Sequence, residues 1–241
     1  MRYLTLFLLA VITLTNCKKV PVDKVIKNLK FSQPEIPADG QSTVNISVEL
    51  SDKSSDDRRT VVFSTLSGVF TASGNNKYTA KAEYENGILV AKATLKASTK
   101  PGNIVVSVKP EFNSPVGEFI LSDSIPAKKS IPFSIKLSTS SFGIASNHLN
   151  EVFITGKLLN ASGKFVSEGY TVLFQDSVLT GPASGQYRQP ITTTGDSSIL
   201  STYYSAFAHL VGTQIKIRAT LLDENGNKTN ITDALLLTVN Q

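Results

Sequence analysis

The sequence predicts an all-β protein: two tandem β-sandwiches behind an N-terminal export segment. Three observations carry that expectation. The composition lacks Trp, holds only 18 % charged residues, and leans on Thr, Ser, Val and Ile, whose branched side chains suit a pleated surface. Apolar and polar residues alternate through several runs, as half-buried strands require. The chain also repeats itself at a nearly constant spacing.

The N-terminal segment, residues 1–16, reads MRYLTLFLLAVITLTN, with Arg2 ahead of an apolar run from Leu4 to Leu14. Such a run, as a helix, covers about 16 Å, short of the roughly 30 Å of a bilayer's hydrocarbon core, so it reads as an export signal rather than a membrane span. Cys17 follows directly, the only cysteine in the chain. An intramolecular disulfide is therefore excluded, and any fold must rest on its core. Residues 17–27 then form a short tether, of which Val20 to Lys27 reach at most about 29 Å when extended.

The first domain is expected over residues 28–127. In TVNISVEL, Val44, Ile46, Val48 and Leu50 share one face. In GILVAKATLKA, Leu89, Ala91, Ala93 and Leu95 alternate with Val90, Lys92, Thr94 and Lys96, and in NIVVSVK, Ile104, Val106 and Val108 point one way. Turn chemistry separates these runs at Ala38-Asp39-Gly40, Ser73-Gly74-Asn75-Asn76, Asn86-Gly87 and Pro101-Gly102. Asn-Gly favours the positive φ angles of a tight hairpin. A Pro- and Lys-bearing linker is read at 128–132 within PAKKSIP, and the second domain at 133–241.

The repeat supports this division. Phe63, Ile88 and Ile104 recur as Phe174, Ile199 and Ile215, all at one offset, while TVNISVEL matches EVFITGKL at a slightly shorter one. Strands at such intervals in domains of about 100 residues suggest β-sandwiches.

Charge and motifs exclude several function classes. The net charge of +5 comes from 24 Lys and Arg against 19 Asp and Glu. The lysines, among them Lys92, Lys96, Lys100 and Lys109, are spread along strands rather than gathered in a nucleic-acid footprint. His148 and His209 stand far apart in the chain, with no third ligand at metal-site spacing, and no cofactor is implied. No nucleophile elbow, phosphate loop or paired His and carboxylate occurs, so a non-enzymatic role is expected. Asp223-Glu224-Asn225-Gly226-Asn227 has the flavour of a calcium loop. Its twelfth position is Ala234, where an EF-hand needs a bidentate Glu, so a hairpin turn is the better reading. The acids of Ser51 to Asp57 read as a solvated loop. The best ligand-site candidate is the aromatic pair Tyr203 and Phe207 in STYYSAFAHL, expected on one strand face with Ser205 between them and Tyr204 opposite. The competing reading is that a loop from 177 to 198 or a domain interface covers them.

Two resemblances add to this. Leu14-Thr15-Asn16-Cys17 resembles the lipobox of bacterial lipoproteins, with Asn16 standing where Gly, Ala or Ser is usual. It implies acylation of Cys17, for instance with palmitate, and a lipid-anchored place in the cell envelope, at the outer membrane or cell surface. The stretch from IPADGQSTVNISVEL through RRTVVFSTLSGVF to NGILVAKATLKASTKPGNIVVSV resembles the bacterial immunoglobulin-like repeat of invasin and intimin. The second copy matches more weakly, with Asn147-His148-Leu149-Asn150 in place of the ADGQST opening. This resemblance implies tandem immunoglobulin-like sandwiches that serve as a spacer, scaffold or adhesion module. Host matrix, a glycan or an envelope protein would be the partner. The alternative expectation is a carbohydrate- or protein-binding accessory subunit of an envelope complex, working through the Tyr203/Phe207 face.

Overall fold

The structure, a computed structural model, describes residues 24–52, 54–111, 119–147, 149–179, 185–207 and 209–241. The signal segment and Cys17 lie outside the described residues. Apart from 3-10 conformation at Lys24 and at Asp56–Arg58, the regular structure among the described residues is β throughout. No described helix is long and apolar enough to cross a membrane.

In the first repeat the strands are β1 (Ile26–Phe31), β2 (Ile36–Ala38), β3 (Thr43–Leu50), β4 (Thr60–Thr65), β5 (Val69–Phe70), β6 (Lys77–Lys81), β7 (Glu83–Glu85), β8 (Ile88–Lys96), β9 (Gly102–Pro110) and β10 (Leu121–Lys129). They form one sheet ordered β1-β3-β8-β5, with β7 also paired to β8, and another ordered β2-β10-β9-β4-β6. In the second repeat they are β11 (Ser134–Thr139), β12 (Gly143–Ala145), β13 (Val152–Leu159), β14 (Thr171–Val178), β15 (Gln186–Tyr187), β16 (Ile191–Thr193), β17 (Ile199–Ser205), β18 (Gln214–Leu222) and β19 (Lys228–Asn240). Their sheets run β11-β13-β17-β15 and β12-β19-β18-β14-β16. The two repeats therefore share one strand order.

The alternation read from the sequence is the burial observed. Val44, Ile46, Val48 and Leu50 are buried, as are Leu89, Ala91, Ala93 and Leu95, and Ile104, Val106 and Val108. Asn86 and Gly87 have φ of 49° and 81°, and Glu85 pairs with Ile88 across that turn, the geometry in which both central residues need positive φ.

The constant offset of the repeat preserves pairing as well as identity. Val61, Phe63 and Thr65 face Pro110, Val108 and Val106, and Val172, Phe174 and Asp176 face Leu221, Ala219 and Ile217. The opening turn is also common to both copies. Asp39 Oδ1 accepts from Gln41 N at 2.8 Å and Ser42 N at 2.6 Å. Asn147 Oδ1 accepts from Leu149 N at 3.0 Å and Asn150 N at 2.9 Å. The weaker match in the second copy thus keeps the side-chain oxygen that closes the turn.

By contacts the chain divides into two compact units. The first holds the described residues up to Pro34, with those of Val44–Leu95 and Ile104–Ile125. The second holds Glu35–Thr43, Lys96–Asn103 and Pro126–Gln241. This division differs from a cut at 128–132, for two reasons. Strand β10 runs on to Lys129, pairing Ala127, Lys128 and Lys129 with Ile36, Pro37 and Ala38 of β2. Within the second unit, Ser167 Oγ donates to Ala38 O at 2.7 Å, Lys164 Nζ to Ser42 Oγ at 3.0 Å, and Glu168 N to Thr99 O at 3.0 Å.

The core of the second unit packs Val152, Ile154 and Leu158 of β13 with Leu200 and Tyr204 of β17, against Val172 and Phe174 of β14 and Ile215, Ile217 and Ala219 of β18. Phe174 is the largest apolar side chain in that set, and truncating a buried Phe costs about 3–5 kcal/mol. Phe174→Ala is therefore expected to lower the unfolding free energy of the second unit by that amount, read by urea denaturation. An exposed change such as Lys228→Ala, read the same way, is expected to leave it within about 0.5 kcal/mol.

Candidate ligand-binding face

Tyr203 belongs to β17, opposite Phe153 of β13. Its neighbour Tyr204 is fully buried, with its hydroxyl donating to Asp176 Oδ2 at 2.8 Å. The same carboxylate oxygen accepts from Gly185 N at 3.1 Å. Burial and the hydrogen bond to Asp176 push the Tyr204 hydroxyl's pKa up, so it stays a neutral donor. Because side chains alternate along a strand, an inward Tyr204 turns Tyr203 to the outer face.

On that face Tyr203 and Phe153 have ring centroids 5.0 Å apart, tilted by 49°. The Arg188 guanidinium lies over the Tyr203 ring, 4.7 Å from its centroid, in the arrangement that attracts a cation to a π face. Arg188 is held there by Glu151. Its Nε donates to Glu151 Oε1 at 2.7 Å, and a second N–H donates to Oε2. The fork geometry is the one in which Arg pairs best with a carboxylate. The bond from Arg188 holds the Glu151 carboxyl below its ordinary range, and Glu151 in turn raises Arg188. Beside the ring, Arg188, Gln189, Ser201, Thr202 and Tyr203 line a shallow depression of about 300 Å³.

Phe207 does not share this arrangement. Strand β17 ends at Ser205, and Ser205 is buried rather than exposed between two aromatics. Ala206 forms an isolated bridge with Ser146, which ends the alternation before Phe207. Both Tyr203 and Phe207 are 41 % exposed, on different local backbones. Sequence reading missed Phe153, Arg188 and Glu151. The first could have been found by aligning EVFITGKL against β17; the ion pair joins residues distant in the chain and left no local signal.

The other sequence features are accounted for by short-range bonds. Asp223 Oδ1 accepts from Asn225 N at 2.9 Å and Asn227 N at 2.8 Å, closing the hairpin between β18 and β19. These bonds, that from Asn227 first, lower the Asp223 pKa. Asp56 pairs with Lys81 at 2.9 Å and with Arg59 at 3.3 Å. Among the described residues no three His, Cys, Asp or Glu side chains converge as a metal site would require. His148 lies outside the described residues, and His209 N donates to Ser146 Oγ at 2.9 Å.

Comparison with known proteins gives the fold a precedent. No family model matches the sequence, and no curated protein does. Among solved structures, invasin, a bacterial integrin-binding protein, aligns over 89 % of this chain and 39 % of its own, with a TM-score of 0.55 and 19 % identity. This is an invasin-type tandem immunoglobulin-like fold. The Yersinia pseudotuberculosis adhesin InvE aligns over 89 % of this chain and 58 % of its own, at a TM-score of 0.43 and 18 % identity. The D0-D1 domain of intimin aligns over 89 % of this chain and 99 % of its own, at a TM-score of 0.33 and 15 % identity. The chain spans less than two thirds of invasin and of InvE.

The Glu151–Arg188 pair has a measurable signature. A carboxylate with a lowered pKa keeps its partner above its ordinary titration range and loses it as pH falls through the lowered value. The carboxyl resonance of Glu151 is expected to titrate below an ordinary glutamate, and to return to the ordinary range in Arg188→Gln. Unchanged titration in that variant would show that the pair does not persist in solution.

Proposed function

We propose that this chain is a non-enzymatic, lipid-anchored protein of the cell envelope, serving as a spacer, scaffold or adhesion module. The observation that carries the reading is the tandem, disulfide-free pair of invasin-type repeats behind the Leu14-Thr15-Asn16-Cys17 sequence. A cysteine directly behind an export signal, with no second cysteine to pair with, suits acylation. Several acyl chains hold a protein stably on a membrane where one does not, each buried CH₂ contributing about 0.8 kcal/mol. The outer membrane or the cell surface is the proposed location. Invasin itself is an integrin-binding protein; for this chain the proposed partners are host matrix, a glycan or another envelope protein.

A second reading is supported by the face built on Tyr203. An aromatic ring beside a guanidinium, with Gln189 and Ser201 along one depression, offers a sugar both a stacking surface and hydrogen-bond donors. In this reading the chain is a carbohydrate- or protein-binding accessory subunit that works through the Tyr203/Phe207 region, with Tyr203 at the depression and Phe207 exposed just beyond the strand. Arg188 lies over the ring a ligand would use, so binding would exchange the guanidinium for the ligand or sandwich it.

Two experiments separate these ideas. Radiolabelled palmitate is expected to enter the wild-type protein in cells and to be absent from Cys17→Ala; label in both, or in neither, removes the anchor. Binding to arrays of glycans and matrix proteins is expected to fall at least tenfold on Tyr203→Ala with Phe207→Ala, if the aromatic face is used. Binding that survives both changes points to the loops instead.

A further inference from the structure

One end of the second repeat carries the three most exposed leucines of that unit, with an exposed Phe and Val beside them in the fold. Leu149, Leu179 and Leu210 are 93, 91 and 84 % exposed, and Phe142 and Val211 are 67 and 63 %. They come from four different connections, brought together by backbone bonds. Thr238 N donates to Phe142 O at 2.8 Å, and Gly212 N donates to Val239 O at 2.8 Å. Ser146 bridges Ala206, and Val178, just before Leu179, pairs with Ile215 at the start of β18. The side chains project from tight turns rather than loose loops. Thr213 N closes on Leu210 O at 3.0 Å with Gly212 at φ 88°, while Asn147 closes the turn that presents Leu149.

The stretches of sequence that carry these side chains are free of charged residues. Residues 137–150, 177–187, 197–215 and 234–241 contain no Asp, Glu, Lys or Arg, in a chain where 18 % of residues are charged. Beyond those runs, Glu151 is neutralised by Arg188, and Lys216 stands on the outer sheet face opposite Leu236.

The occupant follows from shape, charge and the first repeat. The exposed side chains are carried on separate turns, and a fluid lipid layer can take up each of them without a hollow shaped to match. The absence of charge removes any attraction specific to anionic headgroups, so a zwitterionic surface is the match. A further repeat docked head to tail fits poorly. In the first copy the turn residues are Gln41 and Ser42, whose side chains accept hydrogen bonds from Phe165 N and Lys164 Nζ within the second unit. At the matching positions of the second copy stand Leu149 and Asn150, and a leucine cannot accept such a bond. Lys216, just past one of these runs in the sequence, has the long stem that lets a cation reach headgroup phosphates from an apolar surround.

We propose that this end, through Phe142, Leu149, Leu179, Leu210 and Val211, inserts into the interfacial layer of a neutral lipid bilayer. Large exposed apolar side chains gathered on the turns of one end mark a partner or a membrane, and shallow burial of apolar side chains at the acyl boundary drives such binding. The contact is separate from acylation at Cys17, and the fate of that anchor leaves it unchanged.

The absence of Trp from the chain makes the test direct. A Leu210→Trp full-length protein is mixed with phosphatidylcholine vesicles, some with brominated acyl chains. A Leu66→Trp protein, whose native leucine is 97 % exposed in the other unit, is the control. The Trp at 210 is expected to shift to the blue and to be quenched by the brominated lipid, independently of added salt, while the Trp at 66 is not. Adding Leu149→Ser and Leu179→Ser is expected to weaken the vesicle affinity of the Leu210→Trp protein roughly tenfold. Far-UV circular dichroism of each variant checks that these exposed changes leave the fold intact. No shift at 210, equal quenching at 66, or binding that needs anionic lipid and fails in salt would each overturn the proposal. A blue shift that grows with protein concentration in the absence of vesicles would assign the surface to a second copy instead.

Discussion

Phe63 opposite Val108 and Phe174 opposite Ala219 are the same pairing made twice, and the rest of the architecture hangs on it. With one cysteine in the chain, no covalent cross-link within it limits how its strands slide. Register must come from side-chain burial and from the turns, and a slip of one residue would turn every inward side chain outward. Phe63 and Phe174 are fully buried, and turning either out to solvent would forfeit a large apolar contact, so they help to hold β4 against β9 and β14 against β18. Once those pairs are set, the long strands on either side have only one face to bury. The burial of Val44 to Leu50 and of Leu89 to Leu95 on alternate residues then follows.

Much of this was legible in the sequence because sheet structure has a period of two. The inward positions of β3, β8 and β9, the Asn86-Gly87 hairpin and the Asp223 turn could be placed from alternation and turn chemistry. The repeat could be found because Phe, Ile and Ile recur at one spacing, and in the structure that spacing turns out to be a pairing register. What alternation cannot say is where a strand stops. It carried β17 through to Phe207, whereas the bridge from Ser146 to Ala206 ends it at Ser205. It also read Lys128 and Lys129 as linker, although a strand edge accepts any residue whose backbone can pair and whose side chain can reach water.

The parts of the candidate site that sequence did not reveal are those made between connections. Arg188 lies over the Tyr203 ring while Glu151, two residues before Phe153 in the chain, holds its guanidinium through two bonds. Arg188, Glu151 and Tyr203 come from separate parts of the chain, and each alone looks like ordinary surface. The opening turns show the same limit from the other direction. Asp39 and Asn147 look like a match lost, yet each supplies the one oxygen the turn needs. What differs between the copies is the residue each turn displays, Gln41 in one and Leu149 in the other.

The short strands β2 and β12 lie parallel to β10 and β19, the last strands of their repeats, through the pairs Ile36–Ala127 to Ala38–Lys129 and Gly143–Thr238 to Ala145–Asn240. An early strand running parallel to the last one has a mechanical meaning. Tension applied to the two ends of a repeat pulls such strands in opposite directions along their own axes, so their hydrogen bonds are loaded together, in shear, instead of being peeled one at a time. Each repeat is in effect fastened across its ends by a lap joint. A protein that must bear force gains from that arrangement without any cross-link.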